Sequence, residues 1–174
     1  MNNFEQGMQR NDANFVPLTT LSFLDRIKDV YQNYEALIYQ DRKYTWKQVY
    51  DRCTQFASAL SKIGVGEGDV VSIMAANTPE LFEAHYSIPM TGGVINTINT
   101  RLDVRTVAYI LDHSDCKILI VDRQFQKVAS EALAQVDREI VVIDIDDPHA
   151  GLGELPVIGA VSYTHLTLPT ILLV

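Results

Sequence analysis

Four groups of residues in this chain carry side chains or backbone suited to chemistry: the glycines of "GVGEG" (Gly64, Gly66, Gly68), His85 in "EAHYSIPMTGG", Arg101 after "VINTINT", and the acidic run Asp144, Asp146 and Asp147. Glycines that cradle a phosphate leave a strand and open a helix, so that the helix N-terminus faces the anion. These follow a helical pattern and enter a strand, which reads as a helix cap and turn. His85 has no Cys, Ser or carboxylate partner nearby, so a half-buried helix histidine bonded to a carbonyl or water stands beside its candidacy as a ligand neighbour. Arg101 follows a strand, where an open α/β sheet places ligands, and its guanidinium suits bidentate phosphate contact. The alternative is a surface ion pair with Asp103 or Glu80. The acidic run ends a strand before Pro148 and lacks a partner cluster with ligand spacing, so it reads as a solvated turn and no metal ligand is assigned. His113 and His149 stand next to Asp in loop-like contexts and read as solvated; His165 falls in the C-terminal segment discussed below. Cys53 and Cys116 lack metal spacing and read as buried, reduced thiols. No Ser-His-Asp or Cys-His arrangement emerges, and no catalytic residue is assigned.

The elements that must position these residues follow from periodicity. Thr19 or Thr20 caps a helix through Tyr31, with Leu21, Leu24, Ile27, Val30 and Tyr31 sharing a face. "EALIYQDRKYTW" predicts a β-hairpin turning at Asp41-Arg42. Thr45 opens an amphipathic helix on which Val49, Cys53, Phe56, Ala57, Leu60 and Ile63 form the apolar pattern and which stops at Gly64. "DVVSIMAA" predicts a strand, and Thr78-Pro79-Glu80 a helix start with Pro at the first position and an acid near the positive helix end. That helix runs to Gly92-Gly93. Then "VINTIN" reads as a strand, "LDVRTVAYILDHSD" as a helix, "KILIVD" as a buried strand, "RQFQKVASEALAQV" as a helix and "EIVVIDID" as a strand. Apolar strands alternating with amphipathic helices predict an α/β fold, layered, with a mostly parallel sheet, right-handed crossovers and flanking helices. "DDPHAGLGELP" reads as a loop or region boundary.

Composition narrows the class. A chain of 174 residues, 47% hydrophobic and 21% charged, is within the range of one globular domain. Its formal charge of −8 argues against nucleic-acid or anionic-membrane binding, which needs clustered Lys and Arg. The polar start "MNNFEQGMQRNDANFVP" lacks a signal-peptide core, and no run approaches the roughly 20 apolar residues of a membrane helix. A cytoplasmic setting is expected.

Lys43 to Asp122 resembles the N-terminal region of AMP-forming acyl-CoA synthetases in the adenylate-forming superfamily. "RKYTWKQV" is similar to the family's first core segment. "GVGEGDVVSIMAANTPELFEAHYSIPMTGGVINTINTRL" is similar to the strand, helix and second core segment, where a Gly pair lets a helix approach a sheet. "VAYILDHSDCKILIVD" is similar to the helix and strand that follow. The resemblance covers Phe15 to Ile145 and is nearest in wording to the medium- and long-chain fatty acyl-CoA ligases. It implies a truncated part of the large N-terminal domain, occupying 19–160 after a polar extension, 1–18. It also implies an intact enzyme that uses ATP and Mg²⁺ to convert a carboxylic acid, here a fatty acid, to an acyl-adenylate and then transfers the acyl group to CoA. The family's Gly/Thr/Lys phosphate loop, S/T-G-T-T-G-x-P-K, does not occur in this sequence, so the chain is expected to be scaffold and inactive alone. By the same resemblance Arg101 is a candidate contact for a CoA phosphate and His85 a candidate neighbour of the ligand pocket. A peptide-synthetase-type adenylation domain, a luciferase-like relative, and a non-enzymatic α/β ligand-binding or interaction domain remain alternatives.

The segment 161–174, "VSYTHLTLPTILLV", echoes a Thr-rich phosphate loop but has neither Gly nor Lys. Val161 to Thr170 can be encoded by GTC TCT TAT ACA CAT CTG ACG CTG CCG ACG, which resembles a transposon-derived library adaptor. The expectation is a non-native tail, with the biological frame breaking near Ala160.

Overall fold

A computed structural model describes Gly7, Asn11, residues 15–145 and Asp147. Asp146, His149, His165 and the segment 161–174 lie outside the described residues. The first helix, α1 (Thr20–Tyr31), is capped by Thr19: its hydroxyl accepts from the Ser22 amide, and the Ser22 hydroxyl accepts from the Thr19 amide. Only Leu24 of its expected face is fully buried, while Val30 and Tyr31 are exposed.

Strands β1 (Glu35–Tyr39) and β2 (Arg42–Thr45) pair antiparallel as a separate two-stranded sheet. Tyr39 faces Arg42, so the turn is Gln40-Asp41, one residue earlier than expected. Gln40 adopts φ 54°, which lets two residues reverse the chain and leaves Arg42 on the strand. Thr45 ends β2 and caps α2 (Trp46–Lys62) through a reciprocal pair with Gln48. Gly64, at φ 93°, takes the left-handed position past the helix end.

The main sheet is parallel and four-stranded, in the order β4-β3-β5-β6, with β3 (Val70–Met74), β4 (Val94–Thr97), β5 (Cys116–Asp122) and β6 (Val141–Ile145). Helix α3 (Pro79–Met90) joins β3 to β4, α4 (Val104–His113) joins β4 to β5, and α5 (Gln126–Leu133) joins β5 to β6. The expected helix over 123–136 is shorter: Asp122 caps a 3₁₀ turn, Arg123–Phe125, and α5 starts after it. His113 ends α4 rather than lying in a loop, and its exposed ring stacks on Tyr109 at 5.2 Å.

Alternation along β5 divides the core. Ile118 and Ile120 face a cluster with Phe56, Leu60, Ile73 and Ile88; Leu119 and Val121 face another with Met74, Val107, Leu111 and Ala132. A sheet covered on both faces explains why its strands read as continuous apolar runs. A third cluster, Leu24, Val49 and Cys53 with Trp46 and Phe82 packed against it, joins α1, α2, α3 and the hairpin. The Gly pair admits a loop rather than a helix: a Cβ at Gly92 would lie 3.1 Å from Glu67 Cα, and one at Gly93 would lie 3.2 Å from the Asp69 carbonyl.

Candidate functional site

The strand order creates a reversal. From β3 the chain steps to β4 on one side, then returns past β3 to β5 on the other, and ligands of open α/β sheets bind at the carboxyl ends beside such a point. Those ends are marked here by Met74, Thr97, Asp122 and Ile145.

At this end the structure gathers charges. Arg42 Nη1 donates to Glu80 Oε1 at 2.9 Å, and its Nη2 lies 3.6 Å from Asp147 Oδ1. The Tyr39 hydroxyl donates to Asp147 Oδ2 at 2.6 Å. Arg52 Nε donates to Glu83 Oε1 and its Nη2 to Glu83 Oε2 at 3.0 Å, a two-pronged pair. Arg123 Nε is 3.8 Å from Asp144 Oδ2. Glu80, Glu83, Asp122, Asp144 and Asp147 are all buried. The solvated turn expected at Asp144 and Asp147 is therefore incorrect: both carboxylates are covered and paired with arginines far away in sequence. A local reading has no access to those partners.

The environment shifts several groups. The bond to Asp147, then burial, pushes the Tyr39 phenol up to about 12. Burial raises the Asp122 carboxyl, offset by bonds from Gln124. Cys53 is pushed up to about 12, first by burial and then by Glu83, and burial raises Cys116 as well. Both thiols are free and buried, as expected, and their shifts disfavour the nucleophilic thiolate.

Beside the charges, a mostly apolar cavity of about 750 Å³ runs between β1, from Leu37 to Tyr39, and the face of α3 that carries Leu81, His85 and Pro89. His85 lines it, and Nδ1 donates to the Leu81 carbonyl at 2.8 Å, the helix bond expected, but the residue is exposed rather than half-buried. Arg101 does not line this cavity. It stands exposed in the turn after β4, with its backbone amide on Asn99 Oδ1. Neither expected ion-pair partner reaches it: Asp103 caps α4 through Arg105, Thr106 and the Thr106 hydroxyl, and Glu80 is engaged by Arg42. The structure does not bring Arg101 and His85 into one site.

Gly68 donates to the Gly92 carbonyl at 3.1 Å, which places "GVGEG" at the amino-terminal end of β3, opposite the start of α3. In the first turn of α3, Thr78 Oγ1 accepts from Leu81 and Glu80 is tied to Arg42. Among the described residues no group of three or more His, Cys, Asp or Glu forms a metal-binding cluster.

The sequence profile of the family described as "AMP-binding enzyme" matches residues 24–159, more than half of the chain. The chain belongs to that family. Among curated proteins it is 46% identical over 128 residues to the peroxisomal benzoate–CoA ligase of Arabidopsis thaliana, covering 74% of this chain and 22% of the relative. It is 48% identical over 122 residues to a peroxisomal butyrate–CoA ligase from the same plant, covering 70% and 21%. The chain thus spans about a fifth of the length of these relatives. Among solved structures it resembles an anthranilate–CoA ligase in complex with anthranoyl-AMP, with a TM-score of 0.75, 24% identity, and coverage of 86% of this chain and 28% of that one. That likeness shows the family's α/β fold. Among the described residues no helix is long and apolar enough to cross a membrane.

Proposed function

We propose that this AMP-binding family member is the N-terminal scaffold portion of an acid–CoA ligase. The intact enzyme activates a small carboxylic acid with ATP, releases pyrophosphate and passes the acyl group to CoA. The observation that supports this most is the 46% and 48% identity to proteins named as CoA ligases. Residues 19–160 serve as part of the N-terminal domain and do no chemistry alone, while 161–174 is a non-native tail that the source nucleotide sequence tests directly. Among acids, we favour a medium- or long-chain fatty acid on the wording of Ala84 to Asp103, with Mg²⁺ as the metal. The relatives' names set benzoate and butyrate beside it. They also set the peroxisome against our expectation of the cytoplasm, a choice that cell fractionation decides.

Arg101 is proposed as a CoA-phosphate contact because it is exposed at the carboxyl end of β4 and Asp103 and Glu80 are occupied elsewhere. His85 is proposed as a pocket neighbour because it lines the apolar cavity. The test is pyrophosphate release by the full-length protein with ATP and benzoate, butyrate, octanoate or palmitate. Release with at least one acid, followed by thioester formation with CoA, is expected; no release with any of them overturns the reading. Arg101→Met should raise KM for CoA about tenfold, the size of one charge-assisted hydrogen bond, without slowing pyrophosphate release.

A further inference from the structure

Among the described residues the hairpin has no strand pairing with the main sheet, and Asp147 lies past Ile145, the last residue of β6 paired with β5. The hairpin is its own two-stranded sheet, and β6 pairs with β5 alone among the described residues. Their side chains converge on one guanidinium. Arg42 holds Glu80 in the first turn of α3 and approaches Asp147 just beyond β6, while its guanidinium carbon lies 5.0 Å from the centre of the Tyr39 ring, whose hydroxyl holds the same aspartate. Tyr39 and Arg42 are cross-strand partners flanking the turn, so the two side chains form one clamp.

Stability alone is a poor reason for this arrangement. Two buried carboxylates and a largely buried guanidinium are costly to desolvate, and apolar replacements of such a set are often neutral or stabilising. The bonding is also incomplete: Arg42 Nε and Nη2 and Glu80 Oε2 are buried without a hydrogen-bond partner. What the pair of side chains supplies is placement: one guanidinium arm hydrogen-bonds Glu80 while the other stands 3.6 Å from Asp147 as a charge contact, and the Tyr39 hydroxyl gives that aspartate its directional bond.

We propose that Arg42 is a positioning residue: by joining Glu80 to Asp147 it sets where the chain leaves β6 relative to the start of α3, at the end of the sheet where open α/β folds hold their ligands. Its catalytic consequence rests on the ligase reading above; its structural consequence does not.

The test uses the full-length protein carrying Arg42→Met, Glu80→Gln and Asp147→Asn together, which removes the charges without leaving one unpaired. Hydrogen exchange should show amides of 39–45 and Asp147 losing protection at least tenfold, with Ile118 to Val121 unchanged. Acid-dependent exchange of pyrophosphate into ATP should fall about tenfold, the scale of a small misplacement near reacting groups. Arg42→Lys, which keeps the charge but loses the fork, should fall between the triple variant and the unsubstituted protein. Unchanged protection at both segments overturns the proposal, and so does loss spread evenly over the whole sheet. An unchanged pyrophosphate exchange rate in the triple variant overturns it too. If the unsubstituted protein shows no acid-dependent exchange, the ligase reading fails, and the amide pattern still decides the role of Arg42.

Discussion

Ile120 in β5 and Arg42 in β2 both point into the protein, but they meet different company. Ile120 packs among Ile73, Ile118 and Ile143, in a cluster that any aliphatic side chain of similar volume could join. Arg42 meets Glu80 and Asp147, and its partners must carry one charge at one place. Burial of apolar area is non-directional, so the sheet tolerates exchange and resists loss of volume. The charged side reverses this: it depends on matched partners, and losing one partner is worse than losing both. One chain thus holds its sheet by volume, and its hairpin by a small apolar cluster with charged pairs at the turn end.

The largest expected effect tests the first half of that contrast. Ile120→Ala should cost about 3 kcal/mol of stability, and Ile120→Val about 1. Urea unfolding of the 174-residue chain, followed by far-UV circular dichroism, checks the ratio. A cost below that of the valine variant would show that the sheet is not held by packed volume.

The second half is tested at Glu83, fully buried on α3 against Arg52 of α2. Glu83→Ala should cost about 2 kcal/mol, below the full range for buried pairs because the Arg52 side chain is 31% exposed. Arg52→Met combined with Glu83→Met should recover most of that loss. If the double variant is no better than the single, pairing is not the controlling feature on this side.

A smaller effect lies where the two regions join. Thr45 ends β2 and caps α2, so Thr45→Ala should cost about 1 kcal/mol, the typical worth of a cap. Trp46 follows it in the cluster beneath the hairpin, so its fluorescence should lose its native signal at lower urea than the circular dichroism does. Coincident transitions would show that hairpin and sheet unfold as one unit.

These sites also differ in how legible they are in sequence. Thr45 with Gln48, Thr78 before Pro79, and Gly64 after α2 are local signals, and the helices and strands follow them. The hairpin was legible too, although the left-handed Gln40 moved its turn by one residue, because Gln gives no sign of that conformation. The buried charges were hidden for a different reason. Arg42 and Glu80 are 38 residues apart, Tyr39 and Asp147 are 108 apart, and no local window contains both partners. One signal was available: Glu80, Glu83 and Ser87, at helical spacing along α3, form a polar stripe on the same helix as Leu81, Ala84 and Ile88. All three are buried. His85 was legible as a histidine on a helix and Arg101 as a group in a turn after a strand, but that the first lines a cavity and the second does not depends on the packing of the hairpin over α3.

Tyr39 gives the finest measure of the contrast, because its hydroxyl belongs to the paired side while its ring belongs to the hairpin. The bond to Asp147 is the main reason its phenol is raised from 10.0 to about 12. A phenol raised on folding is favoured in its protonated form, so its contribution is complete below pH 10, the unfolded value, and disappears as pH rises through about 12. Burial raises the Tyr86 phenol as well, so ultraviolet titration of the chain should contain a late tyrosine component near 12 that Tyr39→Phe removes while the Tyr86 component stays. At neutral pH the same substitution should cost only about 1 kcal/mol, the net worth of one hydrogen bond, and that cost should fall as pH rises from 10 to 12, because the phenol ionises in the unfolded chain before it does in the folded one. A Tyr39 step near 10 instead would mean that the hydroxyl does not hold Asp147, and the tether between the hairpin and the end of β6 would then rest on Arg42 alone.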